Sequence, residues 1–259
     1  MTARLRYYAP AATLFVAVLA LWELLVSVLG IQQFLLPRPS AIATAFVDHF
    51  DELATAGRNT LVEAVGGLAI GAVAALAVAA ATARWTTASR TLLPFAIAAN
   101  SVPIIAFAPI MNNWFGVLNP LSKMMVVAVL VFFPIMINTV RGLTLVEPGS
   151  LELMRSYAAD ELAVFAKVRI PNALPYIFTA LRVSATLSLI GAIVAEYFGG
   201  ARSVLGQFII TEAAFFRFAN AWAAIIVASA ASIAFFLIIL ALERVALPWH
   251  ASARATDTS

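Results

Sequence analysis

Cysteine is absent from the chain. Disulfides, thiolate metal sites and cysteine nucleophiles are therefore excluded. Histidine is nearly as scarce. His49 and His250 lie far apart in stretches that read as loop or tail, so no histidine metal site is expected. Charge is the third shortage. Asp, Glu, Lys and Arg make up 11% of the 259 residues, against about 25% in soluble domains. Apolar residues take their place, at 63% of the chain and a mean hydropathy of +0.97. Such a composition belongs to a polytopic, all-α membrane protein. The net charge of +3 and pI of 9.6 do not point to nucleic acid. In a membrane chain they reflect basic loops on one side. No G-x-x-x-x-G-K-[ST] loop is present, so Walker-type ATP binding by this chain is excluded. The first apolar run is long enough to span, and no cleavable signal peptide is expected.

Six spans are expected from the apolar runs, at about Pro10–Leu29, Thr60–Ala83, Thr91–Ile110, Met124–Val140, Ala173–Phe198 and Asn220–Leu242. Runs of about 20 residues match a ~30 Å hydrocarbon core. The whole chain reads as one permeation-type domain over 1–259. It divides into an N-terminal span with a surface helix over 1–58, a core bundle over 59–247 and a polar tail over 248–259. The surface helix is expected at about Ala41–Ala56, capped by Ser40 and acidic at Asp48, Asp51 and Glu52. Gly67 and Gly71 form a G-x-x-x-G pair that favours close helix approach. Pro94, Pro103 and Pro109 are expected to break the third span. A short helix is expected around Leu205–Phe216.

One stretch is out of keeping with the rest. Glu152 to Pro171 gathers Glu152, Arg155, Asp160, Glu161, Lys167 and Arg169 between two apolar spans. A charge at mid-bilayer costs at least ~3 kcal/mol, so this stretch lies in water. Leu153, Tyr157, Leu162, Phe165 and Val168 recur at roughly helical spacing and define one apolar face. That face packs on the bundle or the membrane surface, or it docks into a partner. With six spans the stretch shares a side with both termini. Arg4, Arg6, Arg84, Arg90, Arg141, Arg155, Lys167, Arg169, Arg182, Arg244 and Arg254 fall on that side. Arg38, Arg58, Lys123, Arg202 and Arg217 fall on the other. Eleven against five places the termini and the polar stretch in the cytoplasm.

The stretch resembles the EAA motif of binding-protein-dependent ABC importer permeases. Glu152 stands at the motif's Glu and Ala158 at its Gly. Val168 stands at the branched position, Ile170 at the Leu, and Pro171 at the Pro. Leu153 and Met154 replace its two alanines. NALPYIFTALRVS (172–184), FLLPRPSAI (34–42) and SVPIIAFAPIMNNWFG (101–116) resemble further segments of such permeases, in the same order. The likeness is to the nitrate, taurine and sulfonate type, with SVPIIAFAPIMNNWFG also similar to members handling pyrimidine or thiamine-precursor substrates. The resemblance implies a type I permease fold in the bacterial inner membrane. It implies a coupling helix that docks a separate cytoplasmic ATPase, and an extracytoplasmic solute-binding protein. A second permease copy, the lipid bilayer and no nucleic acid complete the implied surroundings. No cofactor is implied on this chain, since ATP and Mg would sit on the ATPase.

On this reading the docking residues are Glu152, Tyr157, Ala158, Ala159, Asp160, Glu161, Phe165 and Pro171. Asn100, Ser101, Asn112, Asn113, Asn138 and Glu196 are candidates for a translocation path. The plainer reading of the path residues is interhelical hydrogen bonding, and of Glu196 a pair with Arg202. Glu23 either serves function or bonds a neighbouring helix. Phe107, Trp114, Phe115, Phe132 and Phe133 are either an apolar gate or packing and interfacial anchors. Two other functions compete. A stand-alone secondary transporter or channel is disfavoured because no acidic pair is legible deep in the spans. An intramembrane enzyme is disfavoured because Glu23 and Glu196 have no legible carboxylate partner.

Overall fold

The computed structural model describes residues 2–83, 94–99 and 101–248. Its elements are helical throughout, with no strand among the described residues. In chain order they are α1 (Thr2–Val28), α2 (Pro39–Asp48), α3 (Phe50–Ala83), a helical piece over 94–99, and a 3₁₀ turn at Ile104–Phe107. There follow α4 (Ala108–Phe115), α5 (Pro120–Thr144), α6 (Pro148–Ser156), α7 (Glu161–Val164), and a π-helical turn at Phe165–Arg169. The last elements are α8 (Ile170–Tyr197), α9 (Leu205–Ala214) and α10 (Phe218–Ala246).

Five helical stretches are long and apolar enough to cross a membrane: Ala9–Val28, α3, α5, Glu161–Tyr197 and α10. The third expected span, Thr91–Ile110, lies partly outside the described residues. Its described part is broken into the 94–99 piece, the 3₁₀ turn and α4. Proline explains the breaks. Pro103 precedes the 3₁₀ turn and Pro109 sits in the first turn of α4, where a missing N–H costs nothing. Here these prolines start short helices instead of kinking one long one.

The expected surface helix is also divided. It ends at Asp48, and Asp51 and Glu52 belong to the first turn of α3. At 34 residues α3 is about 50 Å long, so it extends well past the hydrocarbon. Glu23 reaches across to accept from Ser40 N at 3.1 Å and Ser40 Oγ at 2.8 Å. This intramembrane carboxylate thus holds the start of α2 and is a structural tie.

The bundle core lies between α3, α5 and α8, around Ala64, Leu68, Val127, Val131, Ile135, Leu189 and Ala192. Small residues let α3 and α5 touch backbone to backbone. A Cβ on Gly71 would stand 2.5 Å from Ala128 O, which is why the G-x-x-x-G face packs here. Phe132 and Phe133 pack against this core, and Phe115 packs against Ala108, Met111 and Val126. Trp114 and Phe107 remain exposed. A second core joins α2, α9 and the starts of α3 and α10 through Ile42, Leu53, Leu205, Ile209, Ala223 and Ala224. One end of the bundle therefore carries α2, α9 and the 199–206 connector. The opposite end carries α6, α7 and the polar stretch.

Candidate coupling surface and polar path

The polar stretch is two helices and a turn, not the single amphipathic helix that the spacing predicts. α6 stops because the chain turns left-handed at Ala158 (φ +51°). Ala158 N donates to Arg155 O at 2.9 Å and Ala159 N to Met154 O at 3.0 Å. This pair of bonds is a Schellman cap, whose left-handed residue is usually glycine. The position where ABC permeases carry Gly is thus the position where this backbone needs positive φ, and alanine accepts the strain. Asp160 then starts α7, accepting from Ala163 N at 2.9 Å through Oδ1.

Glu152, Tyr157, Ala158, Asp160 and Glu161 are exposed, with Ala159 and Pro171 partly so. Phe165 differs, because it packs against the bundle core. Leu153, Tyr157 and Leu162 present apolar surface on the polar stretch, with Tyr157 at 75% and Leu162 at 74% exposure. The stretch is nevertheless tied firmly to the bundle. Arg169 Nη1 donates to Ala83 O at 2.9 Å, at the last turn of α3. Asn172 Nδ2 donates to Gly142 O at 2.7 Å and Leu145 O at 3.1 Å, closing the end of α5. Both residues satisfy carbonyls that a helix end leaves orphaned. Neither was singled out from sequence, since any Arg or Asn beside a helix start looks the same without its partner.

The path candidates among the described residues fall in different surroundings. Asn100 lies outside the described residues. Ser101 and Asn113 are exposed. Asn138 donates back to Pro134 O at 2.8 Å within its own helix. Asn112 and Glu196 belong to a buried polar knot at the connector end. Asn112 Nδ2 donates to Phe198 O at 3.2 Å, and its Oδ1 accepts from Lys123 Nζ at 3.1 Å. Lys123 also donates to Val117 O and to Ser122 Oγ. It is 1% exposed, so it is a buried strut and not the loop cation expected from its place in the sequence.

Glu196 does not pair with Arg202, which is exposed on the connector. It accepts from Gly206 N at 2.6 Å, and the Thr60 side chain also hydrogen-bonds it. Thr60 Oγ1 in turn accepts from Leu205 N at 2.9 Å. Glycine at 206 is required, because a Cβ there would lie 2.7 Å from Glu196 Oε2 and 2.5 Å from Ile193 O. Glu196 faces Glu63 of α3 within hydrogen-bonding contact. The chain thus holds the buried acidic pair that was not legible in its sequence. Glu63 stands in an Ala- and Gly-rich span and reads as one more interfacial charge until α8 is laid against α3. Toward the other end, Arg182 Nε of α8 pairs with the buried Glu243 of α10 at 3.1 Å. Arg182 therefore belongs inside the bundle and not among the loop cations.

Five helical stretches long and apolar enough to cross a membrane, with a polar helical loop between two of them, define a multi-pass membrane protein. The chain belongs to the family of binding-protein-dependent transport system inner membrane components, whose model matches residues 67–249. It is 33% identical to a formylaminopyrimidine transport permease of Halalkalibacterium halodurans over 246 residues, 94% of this chain and 97% of that one. A riboflavin transport system permease of Chloroflexus aurantiacus is 29% identical over 236 residues, covering 90% and 87%. A taurine transport system permease of Escherichia coli is 27% identical over 160 residues, covering 58% and 54%.

Proposed function

We propose that this chain is the transmembrane subunit of an ATP-driven importer and that α6, the Ala158 turn and α7 dock a separate ATPase. The observation that carries this is the exposed apolar set Leu153, Tyr157 and Leu162 on a stretch bonded to the ends of α3 and α5. Apolar residues that stay exposed among the described residues fit a groove on a partner. The ties through Arg169 and Asn172 would pass its movement into both helices. Glu152, Glu161 and the Ala158 turn flank that contact. The stretch and both termini lie in the cytoplasm, as the basic residues indicate. ATP and Mg belong to the ATPase and none to this chain, and a second copy completes the path.

The solute of this proposal is small and polar or anionic. Among the described residues Lys123 and Arg182 within the bundle are already paired or solvated by protein, whereas half-buried Arg38 at the start of α2 keeps a buried Nε without a protein partner. Relatives that match over 90% or more of this chain are named for a formylaminopyrimidine, for riboflavin and for aliphatic sulfonates. The test is co-purification with the partner ATPase and solute uptake in vesicles. Ala158→Arg and Glu161→Arg should insert normally, lose ATPase binding and abolish uptake. Normal binding and uptake in both variants would overturn the docking assignment. A panel of pyrimidines, flavins and sulfonates offered to the binding protein tests the solute class.

A further inference from the structure

The knot at the connector end contains a donor shortage. Glu63 and Glu196 are 5% and 0% exposed, on α3 and α8. Glu63 Oε2 and Glu196 Oε1 are both buried without a protein donor. The neighbouring donors are already spent. Gly206 N serves the other oxygen of Glu196, and the Thr60 hydroxyl is already engaged with the same carboxyl. The ammonium of Lys123 has three N–H groups, and they go to Asn112, Val117 and Ser122. No ion pair joins Lys123 to either carboxyl among the described residues. A carboxylate oxygen buried without a donor is costly, and two facing carboxylates repel each other. One hydrogen between them removes both penalties.

We propose that Glu63 and Glu196 form a proton-binding site, with a single proton held between their carboxyl groups. The bound proton makes one carboxyl a donor to the other and bolts α3 to α8 at the connector end. It also leaves a single negative charge, which balances Lys123. Loss of the proton to the outer aqueous phase leaves two facing carboxylates that push the helices apart. The closed connector end is therefore favoured at low pH and loosened as pH rises. The other titratable or charged groups on the elements packed here are Lys123 of α5 and Tyr197 beside Glu196. Arg202 on the connector and Arg58 of α3 are both exposed. α4 contributes only neutral Asn112, and Glu212 of α9 is engaged by Asn220 and Arg217. The knot uses no residue of the docking stretch, so its test is independent of the ATPase.

The absence of cysteine makes the chain a ready background for single-cysteine labelling. Val204, 3% exposed in the connector, is changed to Cys in the full chain in lipid nanodiscs. Exposed Ser203→Cys corrects for thiol ionisation. Release of one proton on opening makes the corrected labelling rate by a membrane-impermeant maleimide rise about tenfold per pH unit up to the midpoint and level off above it. Glu63→Gln supplies a permanent N–H donor in place of the proton and should flatten that slope. Infrared spectra of the wild type should carry a protonated-carboxyl band at neutral pH that Glu63→Gln removes. A flat wild-type slope, an unchanged slope in Glu63→Gln, or the absence of that band would each overturn the assignment.

Discussion

The two ends of this bundle solve opposite problems. At one end the chain exposes charges and apolar side chains together and ties them down with two hydrogen-bonded anchors, Arg169 and Asn172. At the other it buries Glu63, Lys123 and Glu196 and neutralises them against one another. The first region is contiguous in sequence, and its interactions with the bundle are few and separable. The second draws residues from α3, α4, α5, α8 and α9, and removal of any member strands the rest. The end with the polar stretch can therefore move as a unit, whereas the connector end holds or opens as a whole.

The contrast is broken most severely at the knot. Lys123→Met leaves a buried negative charge without its balance and should cost about 3–5 kcal/mol, read as a lowered midpoint of thermal unfolding in detergent. Adding Glu196→Gln removes a charge of the opposite sign and should restore much of that loss. If the double variant is less stable than the sum of the singles, packing and not charge balance governs the knot. At the other end, Tyr157→Ala or Leu162→Ala should leave that midpoint unchanged. Each should weaken ATPase binding by about 2 kcal/mol if the residue is a docking hot spot, measured by titration of the purified subunits. Smaller again, Arg169→Ala strands the Ala83 carbonyl at the end of α3. We expect a stability loss of about 1–3 kcal/mol together with poorer coupling of ATP hydrolysis to uptake. Coupling that survives intact would show that α3 is driven by some other contact. The smallest effect has the opposite sign. Ala158→Gly relieves a left-handed alanine and should stabilise the chain by about 1 kcal/mol, with docking preserved.

Much of the first region was legible because its signals are local. Six charges within twenty residues cannot enter lipid, and the spacing from Glu152 to Pro171 spans one contiguous segment. Even there the turn at Ala158 was hidden. The apolar spacing suggests one continuous helix, and only backbone geometry shows where it stops. The second region was almost illegible. Asn112 and Glu196 were picked out as polar residues in apolar surroundings, yet their partners were not. Lys123 follows a turn-rich loop, and in sequence a lysine at a helix start looks solvated. The proline-rich third span was expected to break, and its described part does, but what its pieces become was not legible. Whether a proline kinks a long helix or starts a short one depends on what meets the freed carbonyls, which no local pattern records.

By itself the sequence determined the solvent, the helical class and the existence of a loop that must stay in water. Those follow from transfer free energies, which add residue by residue along the chain. Only the tertiary structure decided that Glu63 meets Glu196, that Lys123 is a strut and that Arg169 and Asn172 grip the ends of α3 and α5. Those outcomes depend on which helix faces are brought within hydrogen-bonding distance. That is a property of close packing between small residues such as Gly71 and Ala128, and not of any single segment.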